Sequence, residues 1–157
     1  MLKNRSQAPT PAQVDKGITL AKLVAPSQND SNKWSETKGA TISGYLVDAH
    51  YGKKESCNCD SNNPNMMDIH VELVTDPAYA KDKSKRFVAE LTRNFPNLRK
   101  WTPDTLKPYF GKSITVTGWM FFDPDHKNDA ENTSPGGPHN WRATSWEIHP
   151  ITSISMR

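Results

Sequence analysis

The strongest constraint on the fold is a pair of alternating stretches near the C-terminal end, GKSITVTGWMFFDPDH and ATSWEIHPITSISM. The apolar positions that share one parity are Ile114, Val116 and Met120 in the first stretch and Trp146, Ile148 and Ile154 in the second. Because a strand points successive side chains to opposite faces, each stretch predicts a strand with one face suited to a core. The other face of each strand is then available for chemistry.

Titratable residues cluster on and beside these other faces. Glu147 and His149 stand two residues apart on the second strand, and Asp123 and His126 follow the end of the first. Carboxylates and imidazoles within reach of one another are typical of metal sites and of proton transfer. The clustering predicts a functional site without specifying a reaction.

The composition is that of a small, loop-rich globular protein. The chain has 157 residues, 34% of them hydrophobic, with 8 glycines and 12 prolines, and a domain typically holds roughly 100–150 residues. Five Trp, four Tyr and five Phe supply large burial per residue, which argues against full disorder. We predict a flexible N-terminal leader over 1–36, rich in polar residues and proline, and a barrel domain over 37–157.

Charge and hydropathy restrict the partners and the compartment only partly. The net charge of +3 and the isoelectric point of about 8.8 permit an anionic partner without requiring one. The sequence has no apolar run of the roughly 18 residues that a membrane span needs, and no signal-peptide core near its start. We therefore expect a soluble protein, either cytoplasmic or exported with its signal removed, and the oligomeric state stays open.

Three further strands and one helix complete the predicted element order. The strands are predicted at 39–50, where Gly44 indicates a bend or bulge, at 67–74 and at 86–92. The helix is predicted from Pro103, after the capping residue Thr102, to a C-terminal cap at Gly111. The order β-β-β-α-β-β predicts an all-β fold with one short helix, a five-stranded OB-like Greek-key barrel. A β-sandwich is the alternative, although it needs more strands.

The second predicted strand repeats the acidic–histidine pattern. Asp68, His70 and Glu72 alternate with its apolar residues, so they belong to the face outside the barrel. This face is either solvated or part of a site for a divalent metal, and the donor types favour zinc, manganese or iron over calcium. We expect the first and fourth strands to separate it from the fifth, so direct contact between the two acidic–histidine pairs is not assured, and loop residues are able to bridge the gap.

Two further candidates beside the fifth strand each have two interpretations. His126 is a metal ligand or a loop anchor. Arg142, at the predicted start of the fifth strand, binds an oxyanion or forms a salt bridge with Asp123 or Glu147, and the salt bridge is the simpler use. Trp146 is predicted to lie in the core.

Two long loops, 50–66 and 123–141, are expected to flank the ligand face of the barrel. The first contains Cys57 and Cys59, which are too close in sequence for an unstrained disulfide, so we interpret them as free thiols or weaker metal candidates. His50 and His139 lie in loops and are predicted to be solvated.

A basic group offers a different function. Lys83, Lys85 and Arg86 lie together at a charged turn before the third strand and are candidates for contact with nucleic acid. A solvated hairpin tip is the commoner explanation for such a group. The acidic residues on the second strand would repel phosphates, which weakens this interpretation.

Four segments resemble a known family. They are ESCNC, DIHVEL, TVTGWMFFDPDH and RATSWEIHP, and they match the pattern of small bacterial proteins with OB-like domains and no assigned activity. The resemblance covers about residues 38–156 and implies an OB-like fold. The positions that it implies for the site are Asp68, His70, Asp123, His126, Arg142, Glu147 and His149.

The function that these observations predict is a small bacterial binding module with a ligand or divalent-metal site between loops 50–66 and 123–141. A metal-dependent hydrolase of the phosphoester class is the first alternative, in which a bound cation activates water. A nucleic-acid-binding OB domain is the second. The sequence does not decide between enzyme and binder.

Overall fold

The computed structural model describes residues 2–52, 63–64 and 66–156 and shows a closed five-stranded barrel. Its strands are β1 (Gly39–Tyr51), β2 (Ile69–Val74), β3 (Phe87–Leu91), β4 (Ser113–Phe122) and β5 (Trp146–Met156). Its α-helices are α1 (Leu20–Leu23) and α2 (Pro103–Leu106). Single turns of 3₁₀-helix lie at Leu2–Asn4, Pro77–Tyr79, Lys83–Lys85, Pro96–Leu98, Lys107–Tyr109 and Pro124–His126.

The strand order around the barrel is β1-β2-β3-β5-β4. The pairing is antiparallel throughout, except that β3 and β5 run parallel. With α2 between β3 and β4, this is the topology of an OB-like barrel. The predicted fold class, a mostly β barrel with one short helix between the third and fourth strands, is therefore confirmed, and α1 precedes the barrel strands.

The alternating apolar residues fill the interior of the barrel. Leu46, Val71, Phe87, Ile114 and Ile148 come from different strands, and each is fully buried. Burial of an aliphatic or aromatic side chain of this size contributes roughly 1.5–3 kcal/mol. Trp146 is also buried, as predicted.

The irregularity of β1 lies at Val47, where the register with β2 shifts, and not at the predicted Gly44. Gly44 is needed for a different reason, because a Cβ there would lie 2.4 Å from a methyl carbon of Leu20 and 3.1 Å from the carbonyl oxygen of Val74. The bulge at Val47 changes which face the following residues occupy. Leu46 points into the core, and Asp48 lies opposite Glu72 on the outside.

Helix α2 is shorter than predicted. A capping box between Thr102 and Thr105 starts it, and Leu106 packs into the core. The α-helix then gives way to the 3₁₀ turn Lys107–Tyr109, since Pro108 has no N–H to donate to an α-helical hydrogen bond. Gly111 follows with φ of +82°, as a residue after a helix end commonly does.

Part of the N-terminal region packs on the barrel. Ile18, Leu20 and Leu23 are buried in the same core, and Val14 forms a parallel bridge with Gly39. The boundary of the barrel domain at residue 37 stays a prediction. Within the residues that the structure describes, each helix is too short and too polar to cross a membrane.

Candidate metal centre

A row of polar side chains crosses the outside of the barrel. The strand register aligns His50 of β1 with His70 of β2, and His70 with Glu90 of β3. Residue His149 of β5 continues the row, because β3 and β5 are neighbours in the barrel. Alternation along each strand places these side chains on the face opposite the core residues.

Most of this outer face is buried. Asp68, His70 and Glu72 are between 3% and 8% exposed, Glu90 is 1% exposed and His149 is fully buried. This burial excludes the solvated strand face that the sequence allowed for β2. Charged and imidazole groups that lose their water in this way need partners or a bound cation.

Aromatic side chains provide much of the cover. Trp141, in the loop before β5, lies nearly parallel to the His70 ring, with ring centres 6.2 Å apart and planes at 15°. Phe121 of β4 meets the His149 ring edge to face at 5.8 Å. The row therefore lies in surroundings that screen charge poorly, which strengthens every interaction between its members.

Glu90 brings the two predicted acidic–histidine pairs together. On one side of the closed barrel, β1 and β4 separate β2 from β5 as predicted, but on the other side only β3 lies between them. Nε2 of His149 consequently lies 3.8 Å from Oδ2 of Asp68, and the Glu90 carboxylate lies beside both histidines. Sequence analysis missed Glu90. The sequence signal for Glu90 is that it is the one charged residue in the otherwise apolar strand FVAEL, where alternation places it on the same face as Val88.

Three of these residues form what we call the inner group: Asp68, Glu90 and His149. One ligand atom from each lies within 4.8 Å of the other two. Oε2 of Glu90 is 3.2 Å from Nδ1 of His149, and Oε1 of Glu90 is 3.2 Å from Nε2 of His70. Nitrogen and carboxylate donors at this spacing suit a divalent metal.

Two ligand atoms of the inner group lack a hydrogen bond among the described residues. They are Nε2 of His149 and Oε2 of Glu90. Oε2 of Glu90 stays unbonded despite its short distance to Nδ1 of His149, because Nδ1 bonds to Oε1 of Glu147 at 3.0 Å. Buried polar atoms without a partner are rare in folded proteins, and one explanation for them is an ion.

Burial and neighbouring charges shift the pKa values of Glu90 and His149 in the inner group. Burial, helped by the neighbouring carboxylates of Glu147 and Asp68, outweighs the opposing His149 charge and raises the pKa of Glu90 to about 8. Burial lowers the pKa of His149, but Glu90 and the hydrogen bond to Glu147 outweigh it and raise that pKa to about 9. The group therefore holds protons near neutral pH that a metal ion would displace.

Glu147 and Arg142 support His149 from behind. The Arg142 guanidinium lies 3.0 Å from Oε2 of Glu147, with both side chains fully buried, and it also donates to the Thr144 carbonyl oxygen at 2.7 Å. Burial raises the pKa of Glu147, whereas the hydrogen bond from His149 and the charge of Arg142 lower it to about 2. Arg142 thus makes the salt bridge that the sequence favoured, although β5 begins four residues later than predicted.

Asp123 and His126 are not part of the inner group. Asp123 accepts a hydrogen bond from Nζ of Lys3 at 2.9 Å and from the backbone N–H of Asp125, so it acts as a cap and a salt-bridge partner. His126 lies 3.1 Å from Asp129 through Nδ1 and packs edge to face on Trp141 at 5.2 Å. His126 is therefore both an anchored loop residue and a lining residue of a neighbouring pocket.

This pocket has a volume of about 440 Å³ and opens beside the inner group. His70, His126 and Trp141 form part of its wall. A further cluster, which we call the outer group, also lines it and consists of Asp48, His50 and Glu72, with ligand atoms within 4.8 Å of one another. A volume of this order fits a small ligand.

The basic candidates do not act as one patch. Arg86 turns toward β2, donating to Oε2 of Glu72 at 2.7 Å and to the Ala80 carbonyl oxygen at 2.8 Å. Lys83 lines the pocket, and Lys85 ends the same 3₁₀ turn. Cys57 and Cys59 lie outside the described residues, so their assignment stays a prediction.

Comparison with known proteins adds no family. No family model and no curated protein matches the chain. Among solved structures, the chain is similar to an asparaginyl-tRNA synthetase from Entamoeba histolytica, with 14% sequence identity and a TM-score of 0.44. The match covers 82% of this chain and 22% of the synthetase, so this chain spans less than a quarter of that protein's length. The fold assignment rests on the strand order and pairing.

Proposed function

We propose that this protein is an OB-like binding module that holds a divalent metal at the inner group of Asp68, Glu90 and His149. The observation that carries the proposal is Nε2 of His149, which is fully buried, has no hydrogen bond among the described residues and lies 3.8 Å from the Asp68 carboxylate. Zinc, manganese and iron are the ions that one imidazole and two carboxylates suit, whereas calcium prefers oxygen donors alone.

The surrounding residues orient the proposed ligand. Because Nδ1 of His149 bonds to Glu147, the other ring nitrogen is directed toward Asp68. Arg142 holds Glu147 in turn, so that a carboxylate and a guanidinium fix the imidazole. Such outer partners commonly change metal affinity about 10–100-fold when they are removed.

Membership of the small bacterial OB-like family belongs to the same proposal. The WEIHP segment supports it, because His149 of that segment belongs to the inner group and Glu147 bonds to His149. The DIHVEL segment supplies Asp68 and His70 to the same face of the barrel. Two of the four segments that carry the resemblance, DIHVEL and RATSWEIHP, therefore meet at the inner group.

The test is metal content and stability of the tag-free full chain. Elemental mass spectrometry should find zinc, manganese or iron, and a chelator should lower the melting temperature. His149→Gln should lose the metal and the chelator effect, whereas the exposed loop variant His139→Gln should keep both. A wild-type chain that neither contains nor takes up any of these ions would overturn the proposal.

A metal-dependent hydrolase of the phosphoester class is the second candidate. The observation that favours it is the contact of His126 with Asp129 at the wall of the pocket, because a carboxylate-oriented imidazole can move a proton. Metal-loaded protein should then hydrolyse a phosphodiester such as bis(4-nitrophenyl) phosphate, and His126→Gln should lose that activity while retaining the metal. If the metal-loaded wild type shows no turnover, the hydrolase candidate is wrong and the binding module remains the proposed function.

Nucleic-acid binding is supported by the presence of Lys83 and Trp141 in the same pocket, since single-strand binders combine cations with aromatic platforms. Such binding should weaken steeply with salt, because phosphate contacts release counterions. Fluorescence anisotropy with a labelled oligonucleotide at low salt tests it, with Lys83→Gln against Lys81→Gln as the control pair.

A further inference from the structure

The pocket beside the inner group contains a second set of metal-type donors. Asp48 and His50 come from β1 and Glu72 from β2, and their ligand atoms lie within 4.8 Å of one another. The bulge at Val47 creates the set, because it moves Asp48 to the outer face opposite Glu72. Bulges of this kind often occur where a strand must aim a side chain into a site.

The donors of the outer group converge without bonding to one another. Nδ1 of His50 lies 3.5 Å from Oδ2 of Asp48 and 3.8 Å from Oε1 of Glu72, and both distances exceed those of ordinary hydrogen bonds between such atoms. Ligand atoms bound to one metal ion lie at similar distances from one another, because each of them is about 2 Å from the ion between them.

Arg86 orients Glu72 and leaves one of its oxygens for a ligand. Its guanidinium donates to Oε2 of Glu72 at 2.7 Å, whereas Oε1 is the oxygen that faces His50. Arg86 also remains 3.8 Å from Asp48. It is therefore a supporting cation for one carboxylate oxygen and does not engage every donor of the group.

His70 is the independent indication that this pocket takes an ion. Its side chain is nine-tenths buried, it lines the pocket, and its ring centre lies 5.0 Å from that of His50. Neither ring nitrogen has a hydrogen bond among the described residues, although Nε2 lies near Glu90. A buried imidazole whose nitrogens lack hydrogen bonds, in the wall of the pocket that contains the outer group, points to a ligand in that pocket.

We propose that Asp48, His50 and Glu72 form a second divalent-metal site inside the pocket, beside the His70 imidazole. The side chains of Asp48 and His50 are 40% and 45% exposed, so an ion here faces solvent and keeps positions for water or a small anion. This is the arrangement of open sites, in contrast to closed structural ones. The inference extends the proposed function from one buried ion to a pair of sites that share the wall formed by His70 and Glu90.

The experiment is a titration of chelator-treated full chain with Zn²⁺, with stoichiometry from elemental mass spectrometry after desalting. Wild type and His139→Gln should each hold two equivalents. His50→Gln and Asp48→Asn, both at half-exposed positions where folding is not at risk, should each hold one and retain the wild-type melting curve without metal. His149→Gln should also hold one, and the combination with His50→Gln should hold none.

The outcomes separate this inference from the proposed function. If wild type holds one equivalent that survives in His50→Gln and disappears in His149→Gln, the inner site stands and the outer site is wrong. If the one equivalent disappears in His50→Gln and survives in His149→Gln, the inner site is wrong and the outer site stands. Uptake of no ion overturns both.

A spectroscopic measurement checks that the second ion is open to ligands. With Co²⁺ as the ion, added azide should change the visible spectrum of wild type and of His149→Gln, and should leave that of His50→Gln unchanged. A spectrum that azide does not alter in any of the three proteins would contradict the open pocket site.

Discussion

Glu90 and His149 lie 3.2 Å apart on parallel neighbouring strands, although the chain between those strands contains α2 and β4. Their proximity joins three parts of the chain, since Asp68, directly before β2, reaches the same imidazole. One acidic residue precedes β2, one lies in β3, and the histidine lies in β5. The chemistry of this face is thus a product of the barrel closure and not of any local segment.

Glu90→Gln should separate metal binding from folding. Gln keeps the shape of Glu90 and removes a carboxyl group that burial disfavours in its charged form, so the melting temperature without metal should stay level or rise. Metal affinity should fall at least about tenfold, as for a lost ligand or ligand partner. Differential scanning calorimetry with and without Zn²⁺ measures both, and the exposed-site variant Asp104→Asn serves as the control. Equal metal stabilisation in wild type and Glu90→Gln would rule out Glu90 as a ligand.

Arg142→Met should destabilise the fold strongly. Both Arg142 and Glu147 are fully buried, so removal of the guanidinium takes one of two partners from a buried carboxylate and leaves it with the His149 imidazole. Breaking a buried pair in this way typically costs about 3–5 kcal/mol. Urea unfolding should show this loss for Arg142→Met and a smaller loss for Arg142→Met combined with Glu147→Gln. Exposed Arg99→Gln should lie near wild type.

The acid sensitivity of the fold should depend on His70. Burial lowers the pKa of His70 to about 3, whereas an unfolded chain titrates near 6.5. The unfolded state therefore binds more protons below pH 6.5, and stability is lost as the pH falls from about 6.5 toward 3. At pH 4.5 the loss from this residue is about 2–3 kcal/mol, from roughly 1.4 kcal/mol per pH unit.

The comparison that isolates this effect is His70→Gln against wild type in urea unfolding at a series of pH values. The difference in stability between the two proteins should shift in favour of His70→Gln as the pH falls from 7 to 4.5. His139→Gln should follow the wild-type curve throughout, because that side chain is exposed. A constant difference between His70→Gln and wild type would mean that folding does not lower the pKa of His70.

Periodicity alone was enough to predict the strands, the interior position of Trp146 and the outward face of Asp68, His70 and Glu72. These follow from alternation along single strands, which is local. Strands β1 and β4 were predicted to lie between β2 and β5, as they do on one side of the barrel. The shorter path through β3 was not predicted, because the pairing of β3 with β5 depends on contacts between residues far apart in sequence. Glu90 was missed for that reason, since its role depends on its neighbours on β2 and β5.

Burial and the bulge were the other features that local pattern did not reveal. A polar residue that alternates with apolar ones gives the same sequence pattern whether its side chain is solvated or covered by another side chain. The sequence therefore did not show that Trp141 covers His70. The position of Asp48 opposite Glu72 depends on the register shift at Val47, and the sequence marked Gly44 instead. His50 was predicted to be solvated, and its place in the outer group depends on that same shift.

Lys3→Met should weaken the fold and tighten metal binding. Nζ of Lys3 forms a buried contact of 2.9 Å with Oδ2 of Asp123 and lies 5.4 Å from the ring centre of Phe121, which packs against His149. The Lys3 ammonium is one of the charges that lower the pKa of Glu90 and of Glu147, so it acts as a nearby cation for the acidic face. Its removal leaves Asp123 buried without a cation and removes a charge that repels a metal ion.

A paired variant distinguishes the two effects of Lys3. Lys3→Met combined with Asp123→Asn should recover much of the stability that Lys3→Met loses, because no buried carboxylate remains unpaired. Both variants should bind Zn²⁺ several-fold more tightly than wild type in competition with a chromophoric chelator, since the repulsion is gone in each. Arg5→Gln removes a cation from the same segment that lies over Trp119 rather than Phe121, and it should leave the affinity near wild type. An unchanged affinity in Lys3→Met would show that this ammonium does not act on the inner group.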